Sequence, residues 1–439
     1  MSLERNSVLH SWCVPAEWDA PTIVGGEGAY FFDAAGQRYL DMSSLAECMN
    51  LGHQHPSIVR AIQDQAQKLC FVTNAWGAEP RVTLAQLLLE KSGFEAGRVF
   101  FTLGGADANE HAVKFARLAS GKGQGQVITR ERSYHGASFA TMALSGDSRT
   151  AAQVNPAQFG VLRVNAPYAY RCPYGTASET ECAEAAVKHI ERTVESVGAG
   201  VIAGVLMETN AGTNGIVAPR NYWPLLRSLT ERHGIYLIAD EVMSGFGRCG
   251  EWFAWQRYGE GGRPDLMTLA KGLTGAHVPL GAVVVSAVIA ARLDKQMLYT
   301  GLTYCGHPLS CAAGVAAVRA YEDENLIERS RVLGQQLFRQ AQELRSRHAV
   351  IGDVRGGDGL FVVIELVRDR VTREPLSPWP SVHSALRALV TEALAKGVSF
   401  ACRGNLLILA PPLVITESAL ADAMGLLDRL LGSLLRFAA

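Results

Sequence analysis

Five short stretches of this chain carry apolar runs without polar alternation, and helical patterns separate them. They are RVFFTL (98–103), QVIT (126–129), VIAGVLME (201–208), IYLIAD (235–240) and GAVVVS (281–286). A strand with one wet face alternates apolar and polar residues. A strand that does not alternate is covered on both faces. Residues 104–121 keep Ala108, Ala112, Phe115 and Ala119 at helical spacing, with Gly121 as a stop signal. YWPLLRSLTERHG, ending at Gly234, is a second amphipathic helix pattern. Strands alternating with helices predict an α/β fold with a parallel sheet covered on both sides. Ligands of such sheets sit beyond the carboxyl ends of the strands.

With 439 residues and 48% hydrophobic composition, the chain is expected to form more than one packed unit. Its C-terminal third differs in pattern, with long helical segments at 311–322, 325–348, 380–396 and 416–435. Short strand patterns lie between them at 359–366 and 405–413. We read 51–309 as a large domain, 310–439 as a smaller α+β domain, and 1–50 as a segment packing with the smaller one. There are 41 basic and 42 acidic residues, so nothing draws the chain to nucleic acid or an anionic membrane. The start, MSLERNSVLHSW, lacks the apolar stretch of a secretion signal, and no 18-residue apolar span occurs. The 9 cysteines are scattered without a C-x-x-C pair, which predicts reduced thiols in a cytoplasmic protein and no metal site.

The polar residues that interrupt the apolar pattern stand where a ligand is expected. Glu208 and Asp240 end two of the strands, and Gly104-Gly105 follows another. Lys271 lies in PDLMTLAKGLTGAHVPLGAVVVS (264–286), which reads as a loop between a helical pattern and a strand. Burying an ammonium is costly unless it is paired or neutralised. A desolvated lysine near a cation has a lowered pKa, so it can form a Schiff base and then shuttle protons. A buried carboxylate such as Asp240 needs a cationic partner. A protonated pyridine nitrogen supplies one, and the charge makes the ring an electron sink. Small residues at 104–106 let backbone N–H groups approach a phosphate at a helix start, with Asp107 complementing the helix dipole. RSYHG (132–136) offers Tyr134 to stack on a planar ring.

LIADEVMSGFGRCGEW, PDLMTLAKGL, GLTYCGHPLSCAAG, FFTLGGADANEHAVKFAR and SYHG together resemble the class III pyridoxal-phosphate aminotransferases. The matches run in order from about residue 27 to 413. GGADANEHAVKFAR, GHQHP (52–56) and LVRDRVTREPL (366–376) look most like the taurine–pyruvate and ω-amine:pyruvate branch. The resemblance implies fold type I, with a seven-stranded, mostly parallel sheet and a homodimer whose active sites lie at the subunit interface. It implies pyridoxal 5'-phosphate as cofactor and a ping-pong transfer from an amine or ω-amino donor to a keto acid such as pyruvate. An aminomutase, epimerase, lyase or decarboxylase of the same fold is the alternative.

By motif position, Lys271 is the Schiff-base lysine and Asp240 the partner of the ring nitrogen. Val242 and Tyr134 cover the two ring faces, with His135 and Gly136 behind Tyr134. Gly105 and Ala106 hold the phosphate, Thr303 reaches it from the partner subunit, and Glu208 lies near the cofactor oxygen. Four features depart from the family pattern. Its Glu-Pro is Glu208-Thr209 here, and the Ser/Thr of its phosphate loop are Gly104 and Ala106. Its carboxylate-binding arginine falls at Ala401, with Arg403 two positions on. A pocket aromatic falls at Glu47. Glu47 either faces the pocket, points to solvent or pairs with a neighbouring cation, and Arg403 either stays aside or restores carboxylate binding.

Overall fold

Strands of the computed structural model, which describes residues 3–150 and 153–434, fall into four sheets. Three near the N-terminus, β1 (Ile23–Glu27), β2 (Tyr30–Asp33) and β3 (Arg38–Asp41), form an antiparallel meander. Next come β4 (Arg98–Thr102), β5 (Gln126–Arg130), β6 (Val161–Val164) and β7 (Ile202–Glu208). A two-stranded ribbon, β8 (Asn210–Ala211) and β9 (Ile216–Val217), follows at once. Then come β10 (Tyr236–Asp240), β11 (Leu266–Leu269) and β12 (Gly281–Val285). The C-terminal part adds β13 (Ile351–Gly356), β14 (Val362–Asp369), β15 (Glu374–Pro375), β16 (Val398–Ser399), β17 (Ala401–Arg403) and β18 (Leu406–Leu409).

The central sheet has seven strands in the order β4-β12-β11-β10-β7-β5-β6. From β11 to β6 every pairing is parallel, and β12 alone runs antiparallel to both neighbours. All seven residues of β7 are buried, as lack of alternation requires of a strand covered on both faces. The helix Gly105–Ser120 packs across β7, β11 and β12. Its buried face includes Ala108, Ala112, Phe115 and Ala119, and Gly121 ends it with φ of +71°, a conformation glycine adopts without penalty. Alanines on that face let the helix axis approach the sheet closely.

Two of the seven strands differ from the sequence reading. β11 occupies the segment before Lys271 that reads as helix, and β6 had no strong pattern of its own. A four-residue run is too short to show whether its period is that of a helix or a strand. The C-terminal helices are Pro308–Asp323, Leu326–Arg347, Ser384–Ala395 and Glu417–Leu434, with Leu435 outside the described residues. The expected helix over 380–396 starts late, because His383 caps it by accepting from the N–H of Ala385. The N-terminal meander joins the C-terminal part through the parallel pairing of β3 with β16. No helix among the described residues is long and apolar enough to cross a membrane, and all nine cysteines are free thiols.

Candidate active site

Register brings the first site residues together. Asp240 at the end of β10 pairs with Glu208 of β7 on one side and Thr268 of β11 on the other. Cross-strand neighbours point to the same face, so three polar side chains form one row at the carboxyl edge of the sheet. Lys271 follows three residues after Thr268, in a tight turn with φ of +42°. A cavity of about 240 Å³ opens there, lined by Gly105, Ala106, Tyr134, His135, Gly136, Glu208, Asp240, Val242 and Lys271. Every one of these was expected from sequence. Asn109, Asn210, Gly212, Thr213 and Met243 also line it and were not.

Asp240 is 4% exposed and takes three hydrogen bonds. Its Oδ2 accepts from Nδ1 of His135 at 2.7 Å and from Nδ2 of Asn109 at 2.8 Å, and its Oδ1 accepts from the N–H of Val242 at 3.0 Å. Asn109 is itself fixed, since its Oδ1 accepts from Thr268 Oγ1 at 2.8 Å and its Nδ2 also donates to the carbonyl of His135. A carboxylate offers about four acceptor positions, so one remains for a donor in the cavity. The sequence signal for Asn109 was a polar residue on the buried face of an otherwise alanine-rich helix.

Glu208 is 7% exposed, and Nη2 of the wholly buried Arg130 sits 3.2 Å from its Oε2. Burial pushes the Glu208 carboxyl above the usual carboxylate range, against the opposing pull of Arg130. Thr209, where the family pattern has proline, donates to Glu241 at 2.8 Å. Glu241 also accepts from Ser244 and from the N–H groups of Ala254 and Trp255, so it closes the loop beneath the cavity.

Backbone comes close at three glycines. A Cβ at Gly105 would stand 2.9 Å from Val242 Cγ1, one at Gly136 would stand 2.6 Å from Ala106 Cβ, and one at Gly212 would stand 2.6 Å from Met243 Cγ. The first turn of Gly105–Ser120 has no side-chain cap, so its N–H groups are open to an anion. A primary amine, a carboxylate with a spare acceptor position, a tyrosine ring and an uncapped helix start thus surround one cavity. That donor set fits an aromatic aldehyde bearing a ring nitrogen and a phosphate.

The remaining expected residues lie elsewhere. Thr303 is exposed and outside this cavity. Ala401 and Arg403 are half-buried on β17, and alternation puts both side chains on one face of that strand. Two positions off in register therefore preserves the side. Glu47 is only 1% exposed, so the solvent-facing alternative falls. Its Oε2 lies 3.1 Å from Nζ of Lys271 and its Oε1 3.2 Å from Nη2 of Arg403. Burial pushes the Glu47 carboxyl up, but Arg403 and Lys271 outweigh it and hold it below the usual range. Lys271 is shifted the opposite way from the lowering expected of a desolvated lysine. Burial pulls it down, and Glu47 more than restores it. The misjudged element was Glu47, a partner from a distant loop.

The fold and this site define a pyridoxal-phosphate-dependent transaminase of fold type I, and the chain belongs to the class-III aminotransferase family, which it matches over residues 16–431. It is 35% identical to the uncharacterised aminotransferase YhxA of Bacillus subtilis (strain 168), across 90% of this chain and 88% of that one. It is 32% identical to the putrescine–pyruvate aminotransferase of Pseudomonas aeruginosa, across 93% of this chain and 90% of that one. Its structure superposes on taurine:2-oxoglutarate aminotransferase from Bifidobacterium kashiwanohense, in complex with PLP and glutamate, with a TM-score of 0.93. That pair shares 35% identity and covers 98% of this chain and 96% of the other. The chain is an aminotransferase that uses pyridoxal 5'-phosphate to pass an amino group to a keto acid.

Proposed function

We propose that the donor is an amine or ω-amino compound rather than a dicarboxylic amino acid, and that the acceptor is a small keto acid such as pyruvate. The cofactor supplies the electron sink and carries the amino group between the two half-reactions. Lys271 would hold the cofactor through its aldehyde, and its Nζ, which lines the cavity, would be the group that takes and returns a proton beside the substrate. Asp240, oriented by His135 and Asn109, would keep the ring nitrogen protonated. Val242 and Tyr134 would hold the ring, the N–H groups of Gly105 and Ala106, with Gly136, would hold the phosphate, and Glu208 would be a further polar contact for the cofactor.

One observation carries the donor reading. Ala401 has no charge to offer a carboxylate, and Arg403 on the same strand face is paired with Glu47. A donor carboxylate would have to break that pair to gain a bidentate contact. A relative named for putrescine and pyruvate agrees with an amine donor. Two tests follow. Loaded enzyme mixed with an amine and no acceptor should accumulate pyridoxamine phosphate in stoichiometric amount. With pyruvate as acceptor, taurine, β-alanine, 4-aminobutyrate or an arylalkylamine should outperform glutamate. Glutamate as best donor by a wide margin ends the donor reading.

We further propose a homodimer in which Thr303 reaches the phosphate across the two-fold interface. Its exposure in a single chain, outside the cavity, is what such a role requires. An active monomer in sedimentation would remove that role. The division into a large domain (51–309), a small domain (310–439) and an N-terminal segment (1–50), in a cytoplasmic protein, belongs to the same proposal.

A further inference from the structure

Residues Ser44 to Glu47 run through four consecutive left-handed conformations, with φ of +48°, +42°, +69° and +60°. None is glycine, and side chains resist this region. Such a turn persists only where its surroundings over-determine it. Here the buried Asp41 accepts from the N–H and hydroxyl of Ser43 and from the N–H of Leu45. Ser44 Oγ donates to the carbonyl of Ala410 at 2.7 Å and accepts from Nη2 of the wholly buried Arg248 at 2.9 Å. All this fixes one side chain, Glu47, beside the catalytic amine.

Glu47 then has two cation places. Arg403 fills one at Oε1, and Lys271 fills the other at Oε2. The second occupant is a primary alkylammonium, and its side chain lines the cavity. With the cofactor bound, the Lys271 amine would be committed to its aldehyde. The buried carboxylate would then be left with the place at Oε2, now held by a primary ammonium, open. A buried charge without its partner is costly, so a cationic substrate end gains most by occupying it.

We infer that Glu47 is a specificity-determining residue for the donor, taking the distal ammonium of an α,ω-diamine at Oε2 while Arg403 stays on Oε1. This deepens the amine-donor reading and rests on it. The contact is a charge-assisted hydrogen bond, so its gain is expected at about tenfold or more in specificity.

The test has two arms. In the first, butane-1,4-diamine and butan-1-amine are compared as donors to pyruvate, on wild type and Glu47→Gln holoenzyme. Wild type should favour the diamine in kcat/KM by about tenfold or more, and Glu47→Gln should bring that ratio to about one. An unchanged ratio overturns the inference. The second arm needs no turnover. Melting of Lys271→Ala is followed against rising butan-1-amine, alone and combined with Glu47→Gln. A saturable rise in melting temperature in Lys271→Ala that Glu47→Gln abolishes supports an ammonium place at Oε2. Equal shifts in both, or none in either, overturn it. Turnover with neither amine overturns the donor reading instead, and the melting arm then still decides what Glu47 holds.

Discussion

The floor of the active site and its Glu47 corner hold charges in opposite ways. At the floor, Asp240 ends a strand and takes three hydrogen bonds, from His135, Asn109 and the N–H of Val242. Asp240 ends the central strand β10, and its donors come from the helix Gly105–Ser120, the loop after β5 and the turn after β10. At the corner, Glu47 stands on a left-handed turn and meets Lys271 from a tight loop and Arg403 from the short strand β17. Three directional hydrogen bonds converging on a strand end hold one group in one place. Ion pairs among loops permit partner exchange, because charge attraction tolerates a wider range of geometry. The floor suits a cofactor that stays; the corner suits substrates that come and go.

The comparison breaks hardest at Lys271, the residue that belongs to both regions. Lys271→Ala should lose transamination by roughly 10⁴-fold, together with absorption at the blue–violet edge of the purified protein. Wild-type turnover in that variant would remove the mechanism altogether. Next is the floor alone. Asp240→Asn keeps the shape but removes the charge, and kcat/KM for any donor should fall by roughly 10²- to 10³-fold. A fall confined to one donor would mean that Asp240 selects substrates, and the contrast with Glu47 would collapse.

A smaller effect reports on how rigid the floor is. Asn109→Leu leaves Asp240 Oδ2 with one donor fewer and Thr268 Oγ1 without its acceptor. Stability should drop by about 1–3 kcal/mol, read from the denaturant midpoint. An unchanged midpoint would show that water replaces Asn109.

The smallest effect is in pH dependence, measured on cofactor-free protein, where Lys271 remains the partner of Glu47. The Glu47 carboxyl is held below its ordinary 4.5. Its stabilisation is therefore fully present above that value and is lost as pH falls through the lower folded value. The stability gap between wild type and Glu47→Gln should narrow on acidification below about 4.5. Glu208 is raised from the same 4.5, so its contribution is present below that value and is lost as pH rises through the folded one. The gap to Glu208→Gln should move on the other side of 4.5 and with the opposite slope. Parallel profiles would refute the assigned directions.

Much of the floor was legible in sequence because each of its residues sits at a fixed offset from an apolar strand or a helix start. Glu208 and Asp240 end strands, and Gly105 and Ala106 open a helix. Asn109 escaped because a single polar residue on a buried helix face does not name its partner. Two strands were missed or misread, since β6 and β11 have four residues each. Sheet order places them, and sheet order is a property of the whole chain.

Local chemistry and apolar patterning by themselves determined the parallel sheet, the carboxyl-end location of the site and the presence of an amine and a carboxylate in it. All follow from periodicity and from which side chains can carry charge at a strand end. What only the tertiary structure decided is where distant side chains meet. Glu47 and Arg403 come from opposite ends of the chain to the same few ångströms beside Lys271. Arg248, 204 residues beyond Ser44, holds the strained turn in place. Contacts across such separations depend on how sheets and loops dock, and no local period encodes that.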